Sequence, residues 1–307
     1  MKIVLYATSD AAAWMAAFRR ALPEAQIDDW SFAGAAAADY AIVWRPPAGA
    51  LSTLQRAKAI FNLGAGVDAI PDLAGVASHV PLIRLDDAGM AEQMTEYVCH
   101  AALRCYREFD AYAEQQRQAL WQPQPRVAKR EFTIGVLGAG VLGSVVADTL
   151  AQWGFTVRTW SRTRKDVAAI ASFAGFDELA AFLAATRFLV CLLPLTADTR
   201  NLLDRAHLSL LPRGAYVVNV ARGALVVDSD LLSLLDEGHL AGAILDVFSD
   251  EPLPPAHPFW HHPKVVVTPH ISAVTLVEAS VQQIAGKIRR LEAGLSVTGV
   301  VNRARGY

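Results

Sequence analysis

Phe132-Thr-Ile-Gly-Val-Leu-Gly-Ala-Gly-Val-Leu-Gly143 runs from a short β-rich apolar segment into a G-x-G-x-x-G turn, and an amphipathic segment, Ser144 to Trp153, follows. That order is what a dinucleotide-binding turn requires. Gly138 makes the tight turn after the strand, Gly140 lets the backbone approach a pyrophosphate, and Gly143 lets the next helix pack close to the sheet. The phosphates then sit at a helix N-terminus, where free N–H groups and the helix dipole favour negative charge. A Gly-rich turn alone is common, and it is the flanking strand and helix that set this one apart from a plain structural turn. The stretch lies in the middle of the chain, so something other than a cofactor domain must come first.

Downstream, strand candidates at 132–137, 155–160, 187–193, 216–221, 242–247 and 265–268 alternate with helical segments that include 144–153, 177–185 and 228–237. Alternation of this kind predicts a doubly wound parallel sheet. Glu251 to Pro263 holds five prolines and reads as a loop, and Ser272 to about Gly294 is helical again. That last helix is expected to return to the first unit, because the second sheet is already complete. Upstream, strands at 2–7, 40–44 and 59–63, with an Ala-rich helix to Leu22, make a first α/β unit. A long helical pattern runs from Asp87 to about Gln118, with Asp86 or Asp87 as N-cap, and ends at the proline-containing connector after Trp121. The expected fold is α/β: two doubly wound, parallel-sheet, Rossmann-like domains with an active-site cleft between them. Residues 1–98 plus 283–307 form the substrate-binding domain and 99–282 the dinucleotide-binding domain.

Bulk properties narrow the function. The 307 residues are 53% hydrophobic and 19% charged, which suits a chain with a substantial core. Net charge is −2 with no basic block, which argues against nucleic acid. No apolar run approaches the roughly 18 residues of a membrane span, and Met1 to Ala7 lacks a signal-peptide core. Cys99, Cys105 and Cys191 are odd in number and lie in apolar segments, as buried free thiols would. A cytoplasmic protein without a membrane partner is expected.

The second strand of the dinucleotide unit, Phe155 to Trp160, runs into Ser161-Arg162-Thr163-Arg164-Lys165. A carboxylate near this point would hydrogen-bond a ribose 2′-OH, whereas guanidinium groups bind a 2′-phosphate. NADP(H) is therefore the preferred cofactor, with Arg162 and Arg164 as phosphate contacts and NAD(H) left open; the bland alternative is a solvated basic loop. Three later segments each place a polar residue just past an apolar strand: Val218 to Asp228, Leu245 to Leu253 and Val267 to Ala273. In an open parallel sheet that is the carboxyl edge, where ligands bind. Arg222, Glu251 and His270 form a complete set for reducing a 2-keto acid. The His donates a proton to the carbonyl oxygen, the carboxylate favours the imidazolium and orients the ring, and the Arg holds the substrate carboxylate. Taken singly, each could be a solvated loop residue or a structural histidine. His261-His262 lacks a nearby acidic partner set, so no metal is expected. In the first unit, Asn62-Leu-Gly-Ala-Gly-Val-Asp68 follows a strand, and Gly64 and Gly66 can present N–H groups to an anion; a plain turn is the alternative. Trp44 and Arg45 follow another strand and could line a polar pocket.

At these residues the chain resembles the D-isomer-specific 2-hydroxyacid dehydrogenase family along nearly its whole length. The motifs are Asn62 to Asp68, the Gly138 turn, Cys191-Leu-Leu-Pro-Leu-Thr196, Asn219-Val-Ala-Arg-Gly223, Asp250-Glu-Pro252 and Thr268-Pro-His270. Within the family it is most similar to the glyoxylate/hydroxypyruvate reductase A branch, through Val43-Trp-Arg-Pro-Pro47, Gly89 to Tyr97 and Trp160 to Lys165. Arg45 stands where that branch carries a His. The resemblance implies Arg222, Glu251 and His270 as the catalytic set. It sets Gly138, Ala139, Gly140, Val141, Leu142, Gly143, Ser161, Arg162, Thr163, Arg164, Leu193, Pro194, Val220, Ala221 and Asp246 against the dinucleotide. Trp44, Arg45, Leu63, Gly64, Ala65, Gly66, Arg222 and His270 are set against the substrate, with the backbone at Ala65 and Gly66 on its carboxylate. It also implies a homodimer built on the long helix after Asp87. The expected activity is NADPH-dependent reduction of glyoxylate to glycolate and of hydroxypyruvate to D-glycerate. The competing readings are a reductase of larger 2-keto acids such as phenylpyruvate, and a nucleotide-sensing relative without activity.

Overall fold

The Phe132–Gly143 stretch forms strand, turn and helix in the computed structural model, which describes residues 1–67, 70, 75–165 and 170–305. The chain divides into two units, one of Met1–Met90 with Thr275–Tyr307 and one of Ala91–Val274. The chain crosses between them at 90/91 and 274/275, eight residues before the 98/99 and 282/283 boundaries expected from sequence.

The first unit contains β1 (Lys2–Tyr6), α1 (Ala11–Ala21), β2 (Gln26–Asp29), α2 (Phe32–Ala36), β3 (Tyr40–Val43), β4 (Ala59–Asn62) and β5 (Leu82–Ile83). The sheet order is β2-β1-β3-β4-β5, all parallel. Every residue of β3 and β4 is buried, as expected of parallel strands covered on both faces. α3 (Met90–Tyr106) then carries the chain into the second unit. There it meets α4 (Phe109–Arg117), β6 (Ile134–Leu137), α5 (Val141–Gln152), β7 (Val157–Ser161), β8 (Ala171–Ala174), α6 (Leu179–Ala184), β9 (Phe188–Cys191), α7 (Arg205–Leu208), β10 (Ala215–Asn219), α8 (Asp228–Asp236), β11 (Leu240–Leu245) and β12 (Val265–Val267). These strands form a parallel sheet in the order β12-β11-β10-β9-β6-β7-β8. Its residues alternate between two apolar layers: Leu137, Leu189 and Val217 face one, and Val136, Val190 and Val218 the other. α9 (Val277–Glu292) returns to the first unit and packs on α1.

The long helix expected from Asp87 to Gln118 is two helices. Ala88 and Gly89 both have positive φ, so α3 begins only at Met90, and Glu108 at φ 54° separates it from α4. Asp86 does not cap α3; its carboxylate takes Lys287 Nζ at 2.9 Å and the Thr298 hydroxyl at 2.6 Å. β2, β5 and β8 had no strand signal in the sequence. β2 and β8 are edge strands with one buried residue or none, and β5 has only two residues.

Candidate active site

β6 ends at Leu137 in the middle of the sheet, with β7 on one side and β9 on the other. The connections leave in opposite directions here, which is the switch point where open α/β sheets hold ligands. Gly138 turns the chain at φ 107°, and a Cβ there would lie 2.6 Å from the Leu192 carbonyl oxygen. A Cβ on Gly143 would lie 1.8 Å from the Gly138 carbonyl oxygen, so the helix can start this close only with glycine. Around Gly140, by contrast, a Cβ would meet nothing within 4 Å. α5 begins at the next residue with no side-chain cap and no acidic residue in its first turn. Helix N–H groups left open, beside clear space and with no acidic residue in their own turn, fit a pyrophosphate. Ala139 is buried and Val141 is exposed at this turn, with Leu142 half-buried between them. Leu193 and Pro194 follow β9, and Val220 and Ala221 follow β10, all at the same edge of the sheet.

β7 brings Ser161 beside the turn, where Gly138 N donates to the Trp160 carbonyl at 2.8 Å. Ser161 Oγ donates to the Thr163 carbonyl at 2.8 Å, while Arg162, Thr163 and Arg164 are exposed. Arg164 donates to the Ser172 carbonyl and pairs with Glu178, whose carboxyl the Ala174 N–H and Arg164 hold below the usual range. Arg164 is thereby tied to the β8 edge.

The three sequence-predicted catalytic residues follow the neighbouring strands β10, β11 and β12, which run in register at Asn219, Leu245 and Val267. Glu251 and His270 meet directly: Glu251 Oε2 lies 2.8 Å from His270 Nδ1, and Glu251 Oε1 accepts from Phe248 N at 3.0 Å. An ionised carboxylate can only accept, so Nδ1 carries the hydrogen and Nε2 is the nitrogen left for proton exchange. His270 sits at φ 56°, a conformation that costs a non-glycine residue about 1–3 kcal/mol and persists only where its surroundings impose it. Arg222 follows β10 in extended conformation, and its carbonyl accepts from Asn219 Nδ2 at 2.8 Å. The next residue locks this loop to the Glu251 loop: a Cβ on Gly223 would lie 1.9 Å from the Phe248 carbonyl carbon.

Asp246, expected on the dinucleotide, is fully buried. Its Oδ1 accepts from Ile271 N at 2.9 Å and the Thr268 hydroxyl at 2.6 Å, and its Oδ2 from Ser272 N at 2.8 Å. All three of these bonds go to the loop that carries His270. Two other residues gained roles that the sequence did not suggest. His257 Nε2 lies 3.5 Å from Asp228 Oδ2, linking the proline-rich loop to the start of α8. Asn62 Nδ2 donates to the carbonyls of Gly64 at 3.0 Å and Gly66 at 2.8 Å. An Asn just before Gly-x-Gly is the signal that could have exposed the second.

In the first unit the predicted substrate residues gather at the ends of the paired strands β3 and β4. Trp44 packs so closely on Gly64 that a Cβ there would lie 2.4 Å from the indole ring. The Arg45 guanidinium stands 5.6 Å above the same ring, on a residue with φ 49°. Leu63 is buried, and Ala65 and Gly66 are half-buried. Asp68, the end of the quoted motif, lies outside the described residues. Among the described residues no group of three His, Cys, Asp or Glu side chains is placed to hold a metal, and no helix is long and apolar enough to cross a membrane.

Residues 99–272 match the model of the D-isomer specific 2-hydroxyacid dehydrogenase NAD-binding domain. The chain is 48% identical to a glyoxylate/hydroxypyruvate reductase A from Salmonella paratyphi B, over 100% of both. Its structure is similar to that of a D-isomer specific 2-hydroxyacid dehydrogenase from Xanthobacter autotrophicus Py2 in complex with NADPH and MES (TM-score 0.92, 38% identity, 100% of this chain and 99% of that one). It is also similar to an NADPH-dependent glyoxylate/hydroxypyruvate reductase from Sinorhizobium meliloti in complex with NADP and sulfate (TM-score 0.91, 35% identity, 100% of both).

Proposed function

The chain belongs to the D-isomer specific 2-hydroxyacid dehydrogenase family, and on that premise we propose that it reduces glyoxylate to glycolate and hydroxypyruvate to D-glycerate with NADPH. The observation that carries the chemistry is the Glu251–His270 pair, at the sheet edge that also holds the Gly138 turn. The full-length likeness to the Salmonella reductase points to the substrates.

When bound, NADPH supplies the hydride that the keto carbon takes up. The chain's own residues handle the charge that this creates. His270 Nε2–H gives a proton to the carbonyl oxygen as it becomes negative, and Glu251 holds the ring in the tautomer and orientation for that transfer. Arg222 binds the substrate carboxylate with its planar fork and polarises the carbonyl. Within the first unit, the Gly64–Gly66 turn is a candidate anion-binding turn in its own right. Gly138 to Gly143 would hold the pyrophosphate, and Arg162 and Arg164 the 2′-phosphate, Arg164 exchanging its exposed pairing with Glu178 for the phosphate. The protein works in the cytoplasm, a reading supported by three buried free cysteines. It works as a homodimer, for which α4 and the segment after it supply exposed apolar side chains: Phe109, Tyr112, Leu120 and the 97%-exposed Trp121.

The test is NADPH oxidation with glyoxylate, hydroxypyruvate, pyruvate and phenylpyruvate, repeated with NADH. The first two should be turned over fastest, and NADPH should give the higher kcat/KM. Faster turnover of phenylpyruvate would reassign the substrate class, and equal use of NADH would overturn the cofactor preference. Arg162→Ala should erode the NADPH preference by about 10–100-fold, the value of one or two charge-assisted hydrogen bonds.

A further inference from the structure

We propose that Gln93 and Tyr97, on one face of α3, are positioning residues for proton transfer: they hold both ends of segment 268–274 so that His270 keeps its place against Glu251. The proposal rests on the role given to His270 above.

Between Val267 and Val277 the chain has no helix or strand, yet it carries a left-handed histidine that must meet a carboxylate. Its conformation therefore has to come from hydrogen bonds to other elements. The middle is held from the sheet by Asp246, whose backbone carbonyl accepts from His270 N at 2.8 Å and whose carboxylate takes the Ile271 and Ser272 amides. The ends are held from α3. Gln93 makes two bonds to one residue: Nε2 donates to the Val274 carbonyl at 3.1 Å, and Oε1 accepts from Val274 N at 3.1 Å. Four residues on, and so on the same helix face, the Tyr97 hydroxyl lies 2.6 Å from Thr268 Oγ1.

The direction of that last bond follows from proton bookkeeping. Thr268 has one hydroxyl hydrogen, and it goes to the Asp246 carboxylate, 2.6 Å away, which can only accept. Tyr97 must therefore be the donor. Burial pushes the Tyr97 phenol up to about 12, so the hydrogen it donates stays in place across neutral pH. The chain Tyr97–Thr268–Asp246 runs from helix to sheet through the strand end that leads into His270. Removing either α3 anchor leaves Asp246 in place, so the fold survives while the histidine loses part of its restraint. Misplacement by about 1 Å is enough to cost roughly 100-fold in rate.

The experiment makes Gln93→Ala and Tyr97→Phe, each in the parent and in a His270→Ala background. Glyoxylate reduction is measured per NADPH-binding site, with NADPH affinity from nucleotide fluorescence and hydrogen exchange over 268–274. In the parent, each substitution should lower kcat by about 10–100-fold, leave NADPH affinity within about twofold, and speed exchange in 268–274. In the His270→Ala background the further loss should vanish, because a residue that acts through His270 has nothing left to position. Equal losses in both backgrounds, unchanged exchange, or kcat within twofold of the parent would overturn the proposal. If His270→Ala itself keeps the parent kcat, the role of His270 fails instead, which is a separate result. Should Gln93→Ala not bind NADPH, Gln93→Glu, which keeps the acceptor for Val274 N, and the one-oxygen change Tyr97→Phe decide the outcome.

Discussion

His270 is held through Nδ1, so deleting its ring tests the proposed chemistry without touching the turn that would bind the nucleotide. His270→Ala should lower kcat by about 10²–10⁴-fold with NADPH affinity little changed, as measured by steady-state kinetics and nucleotide titration. An unchanged kcat would remove His270 from the mechanism. Glu251 and His270 could be expected together from the sequence because each follows an apolar run, and the ends of parallel strands share one edge; Arg222 follows the neighbouring strand by the same pattern. Asp246 looked the same by that criterion and behaves differently. Its oxygens are taken by Thr268, Ile271 and Ser272, 22 to 26 positions along the chain, and no local pattern announces that. Nor does any local pattern announce that Arg164 pairs with Glu178, 14 positions along the chain.

The glycine turn and its helix are the element on which nucleotide binding depends, and the three glycines predict different outcomes. Gly143→Ala puts a Cβ 1.8 Å from a backbone oxygen that no side-chain rotation can relieve. It should lower the melting temperature measurably and weaken NADPH binding by more than about tenfold, since a shift of the helix start misaims its N–H groups. Gly140→Ala meets no protein atom within 4 Å, so the free protein should melt within about 2 °C of the parent while NADPH binds more weakly. Calorimetry with and without NADPH separates the two, and a Gly140→Ala protein that binds normally would place the phosphates elsewhere. Strands such as β3, β4 and β9 were readable because parallel strands buried on both faces are continuously apolar. β2 and β8 escaped because edge strands need little apolar surface. The break between α3 and α4 escaped because Arg107-Glu108 contains neither Gly nor Pro.

At the scale of the whole molecule, the return of α9 to the first unit is secured by charge. Lys287 is nearly buried and pairs with Asp86, and Glu292 takes Tyr40 and Lys58. Burial alone would raise the Asp86 carboxyl, but hydrogen bonds from Thr298 and Lys287 and the charges of Lys287 and Arg84 outweigh it and hold it low. A carboxyl lowered by folding stabilises the protein above its unfolded value, near 4, and that contribution is lost as pH falls through the folded value. Asp86→Asn should therefore cost about 1–3 kcal/mol at pH 7, and the gap to the parent should close as pH falls below 4. Denaturant unfolding across that range checks it, and a gap independent of pH would refute the assignment. By itself the sequence determined the strand–turn–helix at Phe132–Gly143, the alternation that makes two parallel sheets, and the residue types at the sheet edge. Each of these depends on steric or burial requirements that neighbouring residues state locally. Only the tertiary structure decided which oxygens Asp246 offers, which arginine is tied to Glu178, and what holds His270 at positive φ, because those partners are far apart in the chain and meet only when the sheet brings its loops together.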